Sequence, residues 1–204
     1  NRHCPACHSY QIHKWLQQRT AELLPCDYFH VTVTIPETLR RVFRSNQKLM
    51  YSLLMKTTSE SLIQLADDPK HLGGRVGILA VLHTWTSSLT YHPHVHMLVT
   101  GGGVNDDGQW MSCENKYLVP VKALSKLIRG KFAARLRKSN NNLYSNVDPA
   151  TWSKDWVAHS LHYGKGESIV LRYLARYVFR IAITNHRIIS MDQTHVTFRY
   201  KDRK

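Results

Sequence analysis

Three histidines at every second position form the segment of this sequence with the clearest chemical potential. His92, His94 and His96 alternate with apolar residues over positions 92–99. Because side chains on a β-strand point alternately to opposite faces, a strand here places the three imidazoles together on one face. Two imidazoles one residue apart can bind one divalent ion and leave positions open for water and a substrate oxygen. The pattern predicts a metal site at His94 and His96, with His92 as an additional candidate; the alternative is a cluster of half-exposed histidines on an edge strand, where Pro93 would be tolerated.

His83 is a further candidate ligand, because it ends the strand predicted before this segment. The nearly continuous apolar run over 76–82 predicts a central strand covered on both faces. A hairpin turning near Ser87 and Ser88 would bring His83 back beside His94. His83 is then either a metal ligand or simply a histidine at a strand end, and spacing alone favours the second interpretation.

Two tyrosines recur at helical spacing in the C-terminal part of the chain. Tyr173 and Tyr177 are four residues apart and therefore share one face of a helix predicted over 168–182. Three arginines, also four apart, form an adjacent row: Arg172, Arg176 and Arg180. Guanidinium groups hold phosphate oxygens and a tyrosine oxygen can attack phosphorus, so this arrangement suits a phosphodiester substrate. The alternative is an ordinary amphipathic helix whose tyrosines lie at the edge of the core.

The histidine strand and the tyrosine helix are more informative together than apart. A metal site and a nucleophilic tyrosine are the parts needed for metal-assisted transesterification of single-stranded DNA. In that reaction the tyrosine takes the 5′ phosphate, a 3′-hydroxyl leaves, and the phosphotyrosine bond stores the energy for rejoining. Two tyrosines would permit two successive transfers.

The remaining pattern predicts an α+β domain with a mainly antiparallel sheet flanked by helices. Helices are expected over 11–24, 37–66 and 121–138, the last of them strongly basic on one side. Strands are expected over 28–35, 76–82 and 92–100, where three consecutive glycines from Gly101 should end the strand. Two further short strands are expected at 187–191 and 195–200.

Composition and charge narrow the class of protein. The 204 residues carry 28 Lys and Arg against 14 Asp and Glu, a formal net charge of +14. Residues 121–204 contain 17 of these basic residues and 5 of the acidic ones, so the positive charge is concentrated in one part of the chain. Such a distribution indicates a polyanionic partner, most simply nucleic acid. Four cysteines do not form a secreted disulfide framework, and no apolar run is long enough to span a membrane, so a cytoplasmic protein with no membrane partner is expected.

The chain resembles a known family at many positions along its length. His94-Val95-His96 together with Tyr173 and Tyr177 is similar to the His-hydrophobic-His endonuclease superfamily, and specifically to the bacterial two-tyrosine rolling-circle transposases of the IS-ninety-one family. The family pattern is also matched by the segments Arg2–Cys7, Leu23–Val31, Leu82–Trp85, His92–Gly103, Tyr173–Tyr177 and Asn185–Ile188.

The resemblance implies a Rep/relaxase-like nuclease fold and a transposase that nicks single-stranded DNA or hairpin element ends through a covalent 5′-phosphotyrosine. It implies Tyr173 and Tyr177 as nucleophiles, Mg²⁺ or Mn²⁺ as the cofactor, and no small-molecule substrate, whereas a site made of histidines alone favours Zn²⁺. It divides the chain into a zinc-ribbon remnant with a connecting helix (1–25) and a nuclease domain (26–204).

Three departures from the family pattern accompany this resemblance. Of the two cysteine pairs of the family's zinc ribbon, only Cys4 and Cys7 are present, so structural zinc is expected only in a longer chain. By comparison with the family, a C-terminal region is also expected to be missing, and Ser87 stands where a side-chain amide would serve as third metal ligand. The alternatives left open are a decayed copy, a non-catalytic single-stranded DNA-binding module and a zinc hydrolase that uses activated water.

Overall fold

The computed structural model describes residues 5–114, 116–165 and 182–201, together with Val170 and Val178; for residues 5–9 it describes the backbone alone. Its α-helices are α1 (Pro5–Thr20), α2 (Arg40–Ser45), α3 (Gln47–Asp67), α4 (Val121–Ser139) and α5 (Asn141–Ser145). Its strands are β1 (Tyr28–Thr34), β2 (Arg75–Trp85), β3 (Tyr91–Val104), β4 (Trp110–Ser112), β5 (Val157–Gly164), β6 (Ile188–Met191) and β7 (Val196–Phe198).

The main sheet has five strands, and every pair in it is antiparallel. The strand order is β2-β3-β1-β5, and β4 pairs with the far end of β3. A separate hairpin is formed by β6 and β7. This architecture confirms the predicted α+β class with a mainly antiparallel sheet.

One face of the sheet packs against α3 and α4 and forms the hydrophobic core. Alternate residues of the two central strands point into it, and all six are buried: Phe29, Val31, Val33, Val95, Met97 and Val99. Helix α4 supplies Leu124, Ile128, Phe132 and Leu136 at intervals of four residues, the spacing that keeps side chains on one helical face. We call this side of the sheet the helix face.

The opposite side, here called the histidine face, carries the intervening residues of the same strands. Residues paired across antiparallel strands share a face, so the register defines rows that run across the sheet. One row is His83, His94, Thr34 and Val157, the next is Val81, His96, Thr32 and His159, and the third is Leu79, Leu98, His30 and Leu161. At one end this face is covered by a second cluster in which Tyr28, Leu98 and Val170 are buried against Trp15, Leu16 and Val178.

Two strand predictions are wrong in position. Strand β2 is an edge strand of the main sheet, and β3 and β1 are central; the apolar run in β2 arises because Val76 packs into the core on one face and Leu79 into the second cluster on the other. The glycines after Thr100 do not end β3, which continues to Val104. A Cβ on Gly101 would lie 2.7 Å from the carbonyl oxygen of Asp27, so glycine permits close backbone packing here.

Two further differences concern continuity and an unpredicted strand. The helix expected over 37–66 is interrupted at Asn46, where the backbone leaves the helical region and the Asn46 side-chain amide donates to the carbonyl of Val42 at 3.1 Å. The sequence does not predict β5, because histidine and serine are interspersed among its apolar residues and neither face has an apolar pattern.

Helix α1 begins at Pro5 and ends at Thr20, earlier at both ends than the predicted 11–24. The helix predicted over 168–182 lies outside the described residues except for Val170 and Val178, both helical, and Ala182. Among the described helices, none combines the length and apolar character needed to cross a membrane.

Candidate metal centre on the histidine face

Three histidines from two neighbouring strands form a compact group, here called the histidine triad. One ring nitrogen from each of His83, His94 and His96 can be chosen so that all three lie within 4.8 Å of one another. The ring centroids of His94 and His96 are 4.7 Å apart, and those of His83 and His96 are 4.8 Å apart. The arrangement follows from the register, since His83 pairs directly with His94 while His96 follows His94 by two residues on the same face.

The backbone of His92 fixes the proton position on His94. The Nδ1 atom of His94 lies 2.6 Å from the carbonyl oxygen of His92, and a carbonyl can only accept a hydrogen bond. His94 Nδ1 therefore carries the proton, and the lone pair of the ring is at Nε2. A neutral imidazole with one committed N–H and one lone pair is the form that binds a metal ion.

The His92 ring is directed to a different partner. A guanidinium N–H of Arg40 donates to His92 Nδ1 at 3.1 Å, and Arg40 also forms an ion pair with Glu37 at 2.9 Å. Burial, and then the charges of His94 and Arg40, lower the pKa of His92. The structure thus places His92 beside the triad but does not bring its ring into the three-nitrogen group, whereas His83 does belong to that group.

A hydrogen-bonded pair on β1 contacts the third imidazole. His30 Nε2 lies 2.9 Å from His96 Nδ1, and Thr32 Oγ1 lies 2.9 Å from His30 Nε2 and 3.3 Å from His96 Nδ1. Burial lowers the pKa of His30 to about 4, with a further contribution from the charge of His159, so His30 is neutral at pH 7. A neutral His30 can accept the Nδ1 proton of His96, and this tautomer leaves the lone pair of His96 at Nε2.

Burial and ring stacking restrict the triad further. His83 and His96 are buried, His94 is half-buried, and the ring of Trp85 stacks on His83 with centroids 5.5 Å apart. Ser87 is directed elsewhere, because its hydroxyl donates to the carbonyl of Lys201 and its own carbonyl accepts from Arg187. Geometry therefore supplies His83, and not Ser87, as the third member of the group.

Sequence reasoning missed His30 and Thr32. The sequence does contain a pattern that could have indicated them: they are polar residues at alternate positions of a strand whose other positions are Phe29, Val31 and Val33. That pattern indicates that β1 has one non-apolar face, but it does not indicate that this face adjoins the histidines of β3. Only the pairing of β1 with β3 supplies that fact.

The remaining predicted site residues fall outside the described part of the chain. This applies to both tyrosines and to the three arginines of the predicted helix: Tyr173, Tyr177, Arg172, Arg176 and Arg180. Cys4 also lies outside, and Cys7 is placed in the first turns of α1 without a described side chain.

Comparison with known proteins gives a family for the sequence. Residues 77–204, which include all three triad histidines, match the model of the family described as "Putative transposase". The chain belongs to this transposase family. Residues 1–35, which include Cys4 and Cys7, match a second model, described as "Transposase zinc-binding domain".

Two curated transposases are similar to nearly the whole chain. A putative transposase, y4qJ, from Sinorhizobium fredii (strain NBRC 101917 / NGR234) is 38% identical over 219 residues, covering 99% of this chain and 55% of that protein. The transposase for insertion sequence element IS801 from Pseudomonas savastanoi pv. phaseolicola is 28% identical over 201 residues, covering 92% of this chain and 47% of that protein. The chain thus spans about half the length of these relatives.

Solved structures with a similar arrangement include the conjugative relaxase TrwC in complex with oriT DNA. Its metal-bound structure gives a TM-score of 0.44 at 15% identity, covering 56% of this chain and 44% of that chain. A TrwC complex with a 27-mer that comprises the recognition hairpin and the cleavage site gives 0.40 at 14% identity, covering 54% and 44%.

Proposed function

We propose that this member of the transposase family nicks single-stranded DNA by tyrosine attack on a phosphodiester and transfers the strand through a 5′-phosphotyrosine, as in rolling-circle transposition. The observation that carries the proposal is the histidine triad, since three ring nitrogens within 4.8 Å of one another could hold a divalent ion in a chain of this family. The other residues act around that site.

The triad fits a transition-metal ion better than Mg²⁺. All three donors are imidazole nitrogens, and the hydrogen bonds of His94 and His96 leave a lone pair on each ring. Mg²⁺ prefers six oxygen ligands and imidazole suits zinc and other late transition metals, so the donor set by itself favours Zn²⁺. Of the two ions that the resemblance implies, Mn²⁺ accepts imidazole ligands more readily than Mg²⁺ does. An ion bound there would supply positive charge to the non-bridging oxygens of a phosphodiester and to the departing oxygen.

We assign the covalent step to Tyr173 or Tyr177. The phenolic oxygen loses its proton and forms a bond to phosphorus, and the bond from phosphorus to the 3′ oxygen breaks. The departing 3′ oxygen gains a proton and becomes a hydroxyl. Support comes from Val170 and Val178, which bracket both tyrosines in sequence and pack in the cluster of Tyr28 and Leu98 on the histidine face. Arg172, Arg176 and Arg180 are proposed to hold neighbouring phosphates.

A separate zinc ion is proposed for the N-terminal segment only where two further ligands complete the site. Cys4 and Cys7 lie within the region that matches the zinc-binding domain model, and they supply two of the four ligands that a structural zinc site requires.

One observation favours a second candidate function. Three imidazoles are also the donor set of a catalytic zinc site in which activated water is the nucleophile. A zinc hydrolase would cleave the same DNA but would never become covalently attached to it.

Covalent capture of DNA separates the two reactions. A single-stranded oligonucleotide labelled at its 3′ end is incubated with the chain and Mn²⁺, and adducts are detected as labelled protein on a denaturing gel. We expect each single variant, Tyr173→Phe or Tyr177→Phe, to retain some adduct if the tyrosines are alternative nucleophiles, and the double variant to form none. If only one tyrosine is the nucleophile, replacing that tyrosine alone abolishes the adduct, and replacing the other leaves it unchanged.

The matched control is Tyr117→Phe, because Tyr117 is 58% exposed and lies outside the proposed site. It should form adduct at the wild-type rate. Cleavage without any adduct in the wild-type chain would favour the hydrolase, and an adduct in the double variant would exclude both tyrosines as the nucleophile.

A further inference from the structure

The edge strand β5 exposes apolar side chains on the face that carries the histidine triad. Val157 is 66% exposed and Leu161 is 50% exposed, and His159 between them is also exposed. Two exposed apolar side chains alone are ordinary on a protein surface. Their position on the face of the triad, and the charges beside them, make them candidates for contact with a ligand.

The register makes this surface continuous with the triad. Val157 lies in the same row as His83 and His94, and His159 lies in the same row as His96. Strands are spaced by about 4.8 Å, so β5 lies about 10 Å from β3 across the single strand β1. From Val157 to Leu161 the strand extends about 13 Å, which is long enough to contact more than one base of an extended single strand.

The charges at the two ends of β5 suit a polyanion. Lys154 precedes the strand and Lys165 follows it, and both side chains are exposed. Within the described part of the chain neither lysine forms an ion pair, whereas the nearby carboxylate of Asp155 is paired with Arg129 at 3.1 Å. A surface that is apolar at its centre and positive at both ends matches a chain of unpaired nucleotides, whose bases offer flat faces between charged phosphates.

We propose that Val157, His159 and Leu161 form a base-binding platform on which unpaired bases beside the reacting phosphate pack. The inference rests on the proposed function, because it places that phosphate at the triad. A duplex keeps its bases stacked inside the helix and cannot offer their faces to β5. The platform thus gives the chain a physical means of preferring single-stranded over double-stranded DNA.

The test compares a platform variant with a matched control of the same chemistry. Val157→Thr with Leu161→Gln keeps the approximate volumes and removes the apolar surface. Val196→Thr with Ile189→Gln makes comparable changes at positions that are 49% and 57% exposed and lie on the separate β6–β7 hairpin. Binding of a labelled single-stranded oligonucleotide and of the matched duplex is measured by fluorescence anisotropy.

We expect the platform variant to bind the single strand about 10- to 30-fold more weakly and the duplex within about two-fold of wild type, since the partial burial of two aliphatic side chains against bases contributes on this order. The control should match wild type for both. An oligonucleotide with abasic sites lacks the bases that pack on the platform, so its affinity for wild type should equal the affinity of the intact oligonucleotide for the platform variant. Replacing wild type by the platform variant should then weaken binding of the abasic oligonucleotide little further.

Three outcomes would overturn the platform: unchanged binding of the single strand by the variant, equal weakening for single strand and duplex, or no effect of abasic sites on wild type. If size-exclusion chromatography shows instead that the variant only loses self-association, β5 is a contact between copies of the chain. Mn²⁺ binding by the platform variant should equal wild type, because its triad is intact. If the wild-type chain neither nicks DNA nor forms an adduct while the platform variant still loses single-stranded DNA, the proposed function fails and β5 stands as a surface for unpaired bases.

Discussion

The two faces of the main sheet are built from alternate residues of the same strands, and they differ in almost every property. On β3, Val95, Met97 and Val99 are fully buried against the helices. The intervening His94 and His96 contact other imidazoles, and hydrogen bonds fix their ring nitrogens. The central strands bury their side chains on the helix face completely, whereas part of the histidine face leaves apolar side chains of β5 exposed.

The difference shows how one strand separates stability from chemistry. Packing against α3 and α4 supplies the free energy of folding, because each apolar side chain buried there contributes roughly 1.5–3 kcal/mol. The histidine face contributes less, because burying polar groups costs free energy unless each one has a partner. The contacts among His30, Thr32 and His96 meet that requirement and also orient a ring nitrogen. Neighbouring residues on one strand should therefore fail in different ways when they are changed.

The largest effect is expected for the triad itself. Replacing His94 or His96 by Ala removes one of three nitrogen donors, so Mn²⁺ affinity should fall by more than about 100-fold, beyond the loss typical of an outer-shell change. Nicking of single-stranded DNA should fall to background while DNA binding is largely retained. Metal affinity is measured by isothermal titration calorimetry, and nicking by gel electrophoresis before and after chelation and re-addition of Mn²⁺.

His195→Ala is the control for the triad variants, because this imidazole lies on the β6–β7 hairpin with 82% of its side chain exposed. It should bind Mn²⁺ and nick DNA as wild type does. Full cleavage by the double variant His94→Ala, His96→Ala would contradict a metal role for the triad.

The neighbouring residue on the opposite face should show the converse behaviour. Met97 is fully buried, so Met97→Ala should lower the free energy of unfolding by about 2–5 kcal/mol through lost packing and a residual cavity. The folded fraction should keep its Mn²⁺ affinity, because the side chain points away from the imidazoles. Urea denaturation measures the first quantity and calorimetric titration the second.

Val157→Ala provides the stability control for Met97→Ala. Its side chain is mostly exposed, and exposed substitutions usually change stability by no more than about 0.5 kcal/mol. Loss of Mn²⁺ affinity in folded Met97→Ala, at a level similar to His96→Ala, would show that the two faces are not independent.

The sequence predicts which residues lie on the histidine face better than it predicts which residues they contact. The alternation of His92, His94 and His96 correctly indicates a strand with one imidazole face, because strand periodicity is a local property. The membership of His83 in the triad and the exclusion of the His92 ring depend on β2–β3 register and on Arg40, which is distant in sequence. Strand β5 illustrates the same limit, since it has no local apolar pattern and is defined by its pairing with β1.

The smallest of these effects, and the sharpest test of how the histidine face is organised, is expected at His30. Its Nε2 lies 2.9 Å from His96 Nδ1, so it acts on the ion only by orienting another ligand. His30→Phe removes the acceptor and should weaken Mn²⁺ binding by about 10- to 100-fold, as is typical when a residue that orients a metal ligand is lost. His30→Gln places an amide oxygen near the same position and should restore most of the affinity. Thr32→Val, which removes only a hydroxyl 3.3 Å from His96, should have a smaller effect.

Thermal unfolding of the His30 variants is followed in parallel, because a purely structural role predicts that the Phe and Gln variants lose stability while their Mn²⁺ affinities stay equal to wild type. A positioning role predicts instead that metal affinity separates Phe from Gln even where their melting temperatures agree.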